Sequence, residues 1–240
     1  MVPLIQGPAD LTGVPALLQE YGGEFCASLR ADPDMVAAVC RSGYLPMSED
    51  FTGRELLLIK VHHARCLLDP ADLRLEKSVR RRARGLEIRV DSSFERCLER
   101  IVVHHPDRWL SNRLCESFAA LHRLPIGGVR LRSVEVYRGT ELVAGEIGYT
   151  CGRAYTSLSG FHAESGAGAV QLACLGVLLG RAGFSFWDLG MEIAYKLRLG
   201  ARLVQRERFL WLYRAAAAEP TPDLPDCASC EALVRPAPLT

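Results

Sequence analysis

Residues 133–148 read Ser-Val-Glu-Val-Tyr-Arg-Gly-Thr-Glu-Leu-Val-Ala-Gly-Glu-Ile-Gly, and this stretch decides the fold. Val134 and Val136 on one side, and Leu142, Ala144 and Ile147 on the other, alternate about Gly139-Thr140, the period-two pattern of paired half-buried strands joined by a tight turn. Downstream, 153–159 reads as a third strand, 164–182 as an apolar helix, 184–189 as a buried strand and 191–199 as a short amphipathic helix. Strands first, then helix, strand and helix, predict an α+β layer: a mostly antiparallel, mixed sheet with flanking helices.

The N-terminal region offers separate helices. Asp32 precedes Pro33 as an N-cap, Met35, Val36 and Val39 form an inward face, and Gly43 is the expected left-handed stop. A second helix is predicted from Ser92, with Glu95 completing a capping box and Phe94, Cys97, Leu98, Ile101 and Val102 buried. A third follows Ser111 and presents Leu114, Phe118 and Leu121. The punctuation Leu124-Pro125-Ile126-Gly127-Gly128 sets the expected boundary, giving a smaller α/β N-terminal domain over 1–125 and a sheet domain over 126–217. Residues 218–240, rich in proline, read as a flexible tail.

Composition bounds the chemistry. A chain of 240 residues with 49% apolar content can bury a substantial core, and a net charge of +1 means that any affinity for nucleic acid must come from a local patch. No basic and apolar leader opens the chain, and no apolar run is long enough to span a bilayer, so a cytoplasmic location without membrane partners is expected. Nine scattered cysteines fit reduced core thiols, and Cys227-Ala-Ser-Cys230 lacks the second pair of a zinc site. His62-His63 and His104-His105 are adjacent in sequence, a spacing that does not aim two rings at one ion, and no metal or cofactor is expected.

The hairpin, the following Gly-Arg-Ala-Tyr-Thr-Ser-Leu-Ser-Gly-Phe (152–161) and Trp187-Asp188 resemble the catalytic domain of bacterial leucyl/phenylalanyl-tRNA–protein transferases. Upstream segments resemble the same family in unbroken order. They are the helix of 32–48 ending in Gly-Tyr-Leu-Pro-Met, His-Ala-Arg-Cys-Leu at 63–67, and Arg108-Trp109-Leu110-Ser111. The resemblance covers roughly 25–215 and implies an acetyltransferase-like (GNAT-like) fold. The activity it implies is transfer of an amino acid, Leu/Phe-like, from aminoacyl-tRNA to the N-terminal amine of an acceptor protein, which tags that protein for degradation.

Site residues follow from this resemblance. Trp109 stands where a family tryptophan stacks on the terminal adenosine, and Met47 where a second one stands. Lys77, Arg80, Arg81 and Arg84 share one helical face by three- and four-residue spacing, suited to the phosphates of a tRNA acceptor stem. The family's Gly-Glu-Ser-Met-Phe-Ser is here Ser157-Leu158-Ser159-Gly160-Phe161-His162, and its Asp-x-Gln is Asp188-Leu189-Gly190. Leu158, Ser159, Phe161 and Gly190 are therefore the expected substrate-binding positions, with a glutamate and a glutamine lost. Asp188, the surviving polar residue among apolar sequence neighbours, is the expected proton acceptor, and Glu164 and Glu192 are alternative acids.

Two other readings remain open at this level. Gly166-x-Gly168 at a helix start could seat the pyrophosphate of an acyl-CoA, although Ala163 replaces the usual Arg or Gln. Loss of the glutamate and glutamine also fits a catalytically idle tRNA-binding regulator.

Overall fold

The computed structural model describes residues 2–105 and 109–235. Arg108 and residues 236–240 of the expected tail lie outside them. The chain runs α1 (Val14–Tyr21), β1 (Phe25–Ser28), α2 (Pro33–Arg41), β2 (Leu45–Phe51), β3 (Arg54–Lys60), β4 (Ala64–Leu68), α3 (Lys77–Arg82) and β5 (Glu87–Val90). Then come α4 (Phe94–His104), α5 (Asn112–Arg123), β6 (Val129–Arg138), β7 (Glu141–Cys151), β8 (Ala154–His162), α6 (Ala167–Ala182) and β9 (Phe186–Asp188). The last elements are α7 (Ala194–Arg198), β10 (Arg202–Gln205), α8 (Arg206–Ala217), β11 (Cys227–Ser229) and α9 (Cys230–Leu233).

The quoted hairpin is β6–β7, and Arg138 pairs with Glu141 across the Gly139-Thr140 turn, where Gly139 has φ +59°. β8 extends the meander antiparallel, and β9 then joins it parallel after the α6 crossover. This order, antiparallel strands followed by one parallel crossover, gives the mixed α+β sheet expected of an acetyltransferase-like chain. Its eight strands run β10-β4-β9-β8-β7-β6-β5-β11, beside a separate three-stranded sheet β1-β3-β2. Helices cover both faces of the large sheet. Leu131 and Tyr149 turn towards Val39 of α2, Phe94 of α4 and Phe118 of α5, while Val134, Val136 and Tyr155 turn towards Val170 and Leu175 of α6.

The expected domain boundary is corrected. β4 and β5 come from before residue 125 yet lie within the large sheet, and one core joins Leu18 and Met35 to Leu131, Tyr149 and Tyr213. A cut at 125 would strip two strands from that sheet. The tail is corrected too: β11 pairs with the edge of β5, and Cys230, Leu233 and Val234 are buried against α6 residues. Proline-rich composition marks 220–225 as irregular, but the apolar side chains beyond it have a surface to cover.

The predicted helix starts hold in two cases and fail in one. Asp32 accepts from Met35 N at 3.2 Å and Ser111 from Leu114 N at 3.1 Å. The Ser92/Glu95 capping box does not form. α4 begins instead at Phe94, and the buried Glu135 of β6 accepts from the backbone N–H of Ser92 and Ser93. A carboxylate from a neighbouring strand thus satisfies the amides that the local motif was expected to serve. No described helix is long and apolar enough to cross a membrane.

Candidate active site

A cavity of about 550 Å³ opens between β7, β8, α6, α3 and α7. Its position follows from an irregularity in the sheet. Ile147 pairs with Ser159 and Gly148 with Ser157, so Leu158 is an extra, unpaired residue in β8. Such a bulge bends the strand and re-aims its side chains, and here Ser157, Leu158, Ser159, Gly160, Phe161 and His162 all line the cavity. Gly148 is required at the bulge because a Cβ there would lie 2.5 Å from the Thr156 carbonyl oxygen.

The inner end of the cavity is polar. Glu146 of β7 is 3% exposed, and its Oε1 accepts from the Tyr155 hydroxyl at 3.0 Å and from Ser157 Oγ at 2.7 Å. Ser157 in turn accepts from the Trp187 indole N–H at 2.8 Å. Burial pushes the Glu146 carboxyl above the usual range, opposed by its polar neighbours, Gln171 of α6 among them, and by the charge of Lys196. The Gln171 amide thus lies close enough to favour the carboxylate, yet its buried Nε2 closes no hydrogen bond. Lys196 of α7, itself buried, donates to the carbonyls of Leu189 and Met191, and desolvation lowers its pKa. The outer part carries Arg74, Arg82, Arg198 and His162, all exposed.

The structure distributes the residues expected from sequence unevenly. Leu158, Ser159 and Phe161 form part of the cavity wall, whereas Gly190, Asp188, Glu164 and Glu192 do not. Asp188 is fully buried, and the apolar setting expected for it is corrected. The Arg65 guanidinium bonds both carboxylate oxygens, Thr156 Oγ1 donates to Oδ2 at 3.2 Å, and Gly190 N donates to Oδ1 at 2.9 Å. Gly190 has φ +74°, a backbone conformation that would strain the family's glutamine. Glu164 is engaged by Arg138 through two bonds of 2.8 and 2.6 Å, which hold its pKa down, and Glu192 is exposed.

Met47 and Trp109 are neighbours away from the cavity. Ser48 N and Oγ both donate to the Trp109 carbonyl, at 2.8 and 2.7 Å, and the indole is half-buried against the core. Lys77, Arg80, Arg81 and Arg84 are exposed, while Val79 and Ala83 pack inward. The cationic side chain that this segment turns to the cavity is Arg82, which was not singled out from sequence. Glu146 and Gln171 were missed as well, because each is an isolated polar residue inside an apolar strand or helix pattern, and Lys196 because a lysine in a short amphipathic helix reads as solvent-facing. The signal was present: a glutamate within Val143-Ala-Gly-Glu-Ile-Gly needs a partner or a function. Among the described residues, no three His, Cys, Asp or Glu side chains gather as metal ligands.

Residues 67–214 match the profile of the leucyl/phenylalanyl-tRNA protein transferase family, well over half of the 240 residues. The chain belongs to this family. A leucyl/phenylalanyl-tRNA–protein transferase of Aromatoleum aromaticum is 30% identical over 214 residues, 87% of each chain. One from Anaeromyxobacter dehalogenans is 27% identical over 226 residues, 92% of this chain and 94% of its own. Among solved structures, FemX aligns with 85% of this chain and 78% of its own at 11% identity, with a TM-score of 0.46. A GCN5-related N-acetyltransferase from Kribbella flavida aligns with 85% and 75% at 13% identity, with a TM-score of 0.33. The cavity lies within the span that defines the transferase family, since β7, β8, α6 and α7 all fall inside 67–214.

Proposed function

We propose that this chain moves an amino acid from a charged tRNA to the N-terminal α-amine of a protein, and that the cavity beside the β8 bulge holds the aminoacyl end. The observation that carries this reading is a coincidence. The segment Ser157–His162, which resembles the family's Gly-Glu-Ser-Met-Phe-Ser, is the wall of a cavity large enough for an aminoacyl group.

In the reaction the amine nitrogen attacks the ester carbonyl carbon, the amide C–N bond forms, and the C–O bond to the adenosine ribose breaks. The departing ribose oxygen takes one proton. An acceptor that arrives as ammonium gives up a further proton before attack, and His162 at the exposed part of the cavity is placed to receive it. The ester is already activated, so the protein contributes mainly orientation. Arg74, Arg82 and Arg198 offer guanidinium groups to the phosphates of the tRNA end, and Lys77, Arg80, Arg81 and Arg84 extend the basic surface along the acceptor stem. Trp109 and Met47 remain candidates for contact with the terminal adenosine. Asp188 acts as a positioning residue, since through Arg65 and Gly190 N it sets the end of β9.

No observation favours the acyl-CoA alternative. The Arg82 side chain packs beside Gly166, where an added Cβ would come within 2.5 Å of it. The test is a ribosome-free assay. Purified protein is mixed with tRNAs each charged with one labelled amino acid and with a peptide of basic N-terminus, and in parallel with labelled acetyl-CoA. Label entering the peptide from tRNA is expected. Label from acetyl-CoA alone, or from neither donor, would overturn the reading.

A further inference from the structure

Lys196 of α7 is the buried cation of the cavity wall. It is 7% exposed, and its Nζ donates to the carbonyls of Leu189 and Met191, the latter at 2.9 Å. An ammonium carries three N–H donors, so one remains, and it meets no acceptor among the described residues. A buried charge is a costly way to tie down a loop, because a neutral donor would hold the same two carbonyls without desolvating an ammonium. Around it stand Glu146 of β7, Arg65 and Cys66 of β4 and Asp188 of β9, and the Asp188 charge is already met by Arg65.

The order of groups along the substrate brings the reacting carbon to this lysine. In the end of an aminoacyl-tRNA the ester lies between the phosphates and the amino-acid side chain. Arg74, Arg82 and Arg198 face the phosphates at the exposed part of the cavity and the side chain enters the buried part, so the ester carbonyl sits where exposed wall gives way to buried wall. α7 spans that change, with Arg198 exposed and Lys196 buried, both lining the cavity. Other buried donors there are engaged: the Tyr155 and Ser157 hydroxyls donate to Glu146, and the Gln171 amide faces the same carboxylate. Attack by the amine turns the ester carbonyl oxygen into an oxyanion, and donors fixed in advance and shielded from water stabilise such charge most.

We propose that Lys196 is a catalytic residue of the transfer, its third N–H donating to the ester carbonyl oxygen and holding the oxyanion of the tetrahedral intermediate. This rests on the aminoacyltransferase reading. As the C–N bond forms, the carbonyl electron pair moves to the oxygen facing Nζ. When that pair returns, the C–O bond to the ribose breaks, and the ribose oxygen leaves with the proton released by the attacking nitrogen. Lys196 keeps its own proton throughout. The Leu189 and Met191 carbonyls hold Nζ in place, so no reorganisation accompanies the appearance of charge.

The experiment measures single-turnover transfer of labelled leucine or phenylalanine from charged tRNA to the basic-N-terminus peptide by the wild-type protein, Lys196→Gln and Lys196→Met. Affinity for tRNA by anisotropy and thermal melts are measured beside it. Glutamine is chosen because its two amide N–H donors can hold both carbonyls while supplying neither a third donor nor a charge. Both variants should bind tRNA as the wild type does and transfer about 100- to 1,000-fold more slowly. The wild-type rate should also fall at alkaline pH, below the range of an ordinary lysine, because desolvation lowers the Lys196 pKa and the cation is lost as pH rises through it. The residual rate of Lys196→Gln should lack that fall. A Lys196→Gln protein that transfers at the wild-type rate, or that keeps the alkaline fall, would overturn the proposal and leave the aminoacyltransferase reading standing. Loss of the fold or of tRNA binding in both variants would do the same, by assigning Lys196 to the loop alone. Absence of transfer by the wild-type protein from any charged tRNA overturns both.

Discussion

Asp188 shows how far a residue's chemistry depends on what reaches it from elsewhere in the chain. Its sequence neighbours are Trp187 and Leu189, which suggests a carboxylate isolated in apolar surroundings. Arg65, 123 positions away, supplies a buried guanidinium that bonds both oxygens, and it also stacks over Phe209 at 4.6 Å. The pair is nearly inaccessible, with side-chain exposures of 1% for Arg65 and 0% for Asp188. Removing one charge leaves the other buried without its partner, a change that costs on the order of 3–5 kcal/mol. Asp188→Asn is therefore expected to lower the denaturation midpoint strongly in urea, and Asp188→Leu with Arg65→Met to recover much of that loss. An Asp188→Asn protein of unchanged stability would show that the pair does not lock β4 to β9.

At the scale of elements, α3 separates two kinds of basic residue. Val79 and Ala83 tie the helix to the α6 face, which leaves Lys77, Arg80, Arg81 and Arg84 exposed and puts Arg82 at the cavity. Exposed cations that meet phosphates release counterions, so their contribution depends on salt. Changing Arg80, Arg81 and Arg84 to Ala should weaken tRNA binding at low salt. It should also flatten the plot of log K against log salt by about 0.7–0.9 for each phosphate that is no longer neutralised, as measured by filter binding or anisotropy. An unchanged slope would assign the three residues to a solvated surface. The helix itself was legible in the charge spacing; which cation faces the cavity was not, because that depends on how α3 packs on α6.

For the whole molecule, the large sheet ties distant parts of the chain into one unit. β4 and β5 flank a meander that begins at Val129, and β11 closes the far edge from beyond residue 226. A fragment of residues 126–217 would expose both open edges of its strands and the apolar faces that α2, α4, α5 and α9 cover. Such a fragment is expected to lack the near-ultraviolet circular dichroism of a packed protein, and full-length protein should unfold in one transition. Independent folding of the fragment would restore a domain boundary near 125.

The hairpin, the α6 helix and the helix starts at Asp32 and Ser111 were determined by the sequence alone. Each rests on interactions within a few residues, through side-chain alternation, a turn that needs positive φ, or a hydroxyl or carboxylate reaching its own helix amides. Family membership was legible for the same reason, since collinear motifs survive in the order of the chain. The pairing of Arg65 with Asp188, the capping of α4 by Glu135, the anchoring of residues 227–234 and the gathering of Glu146, Gln171 and Lys196 were decided only by the tertiary structure. Each joins residues far apart in sequence, and a buried charge or amide reads the same in a linear pattern whether it is satisfied, ion-paired or left open to a ligand. Only the packing of the strands and helices around it supplies that answer.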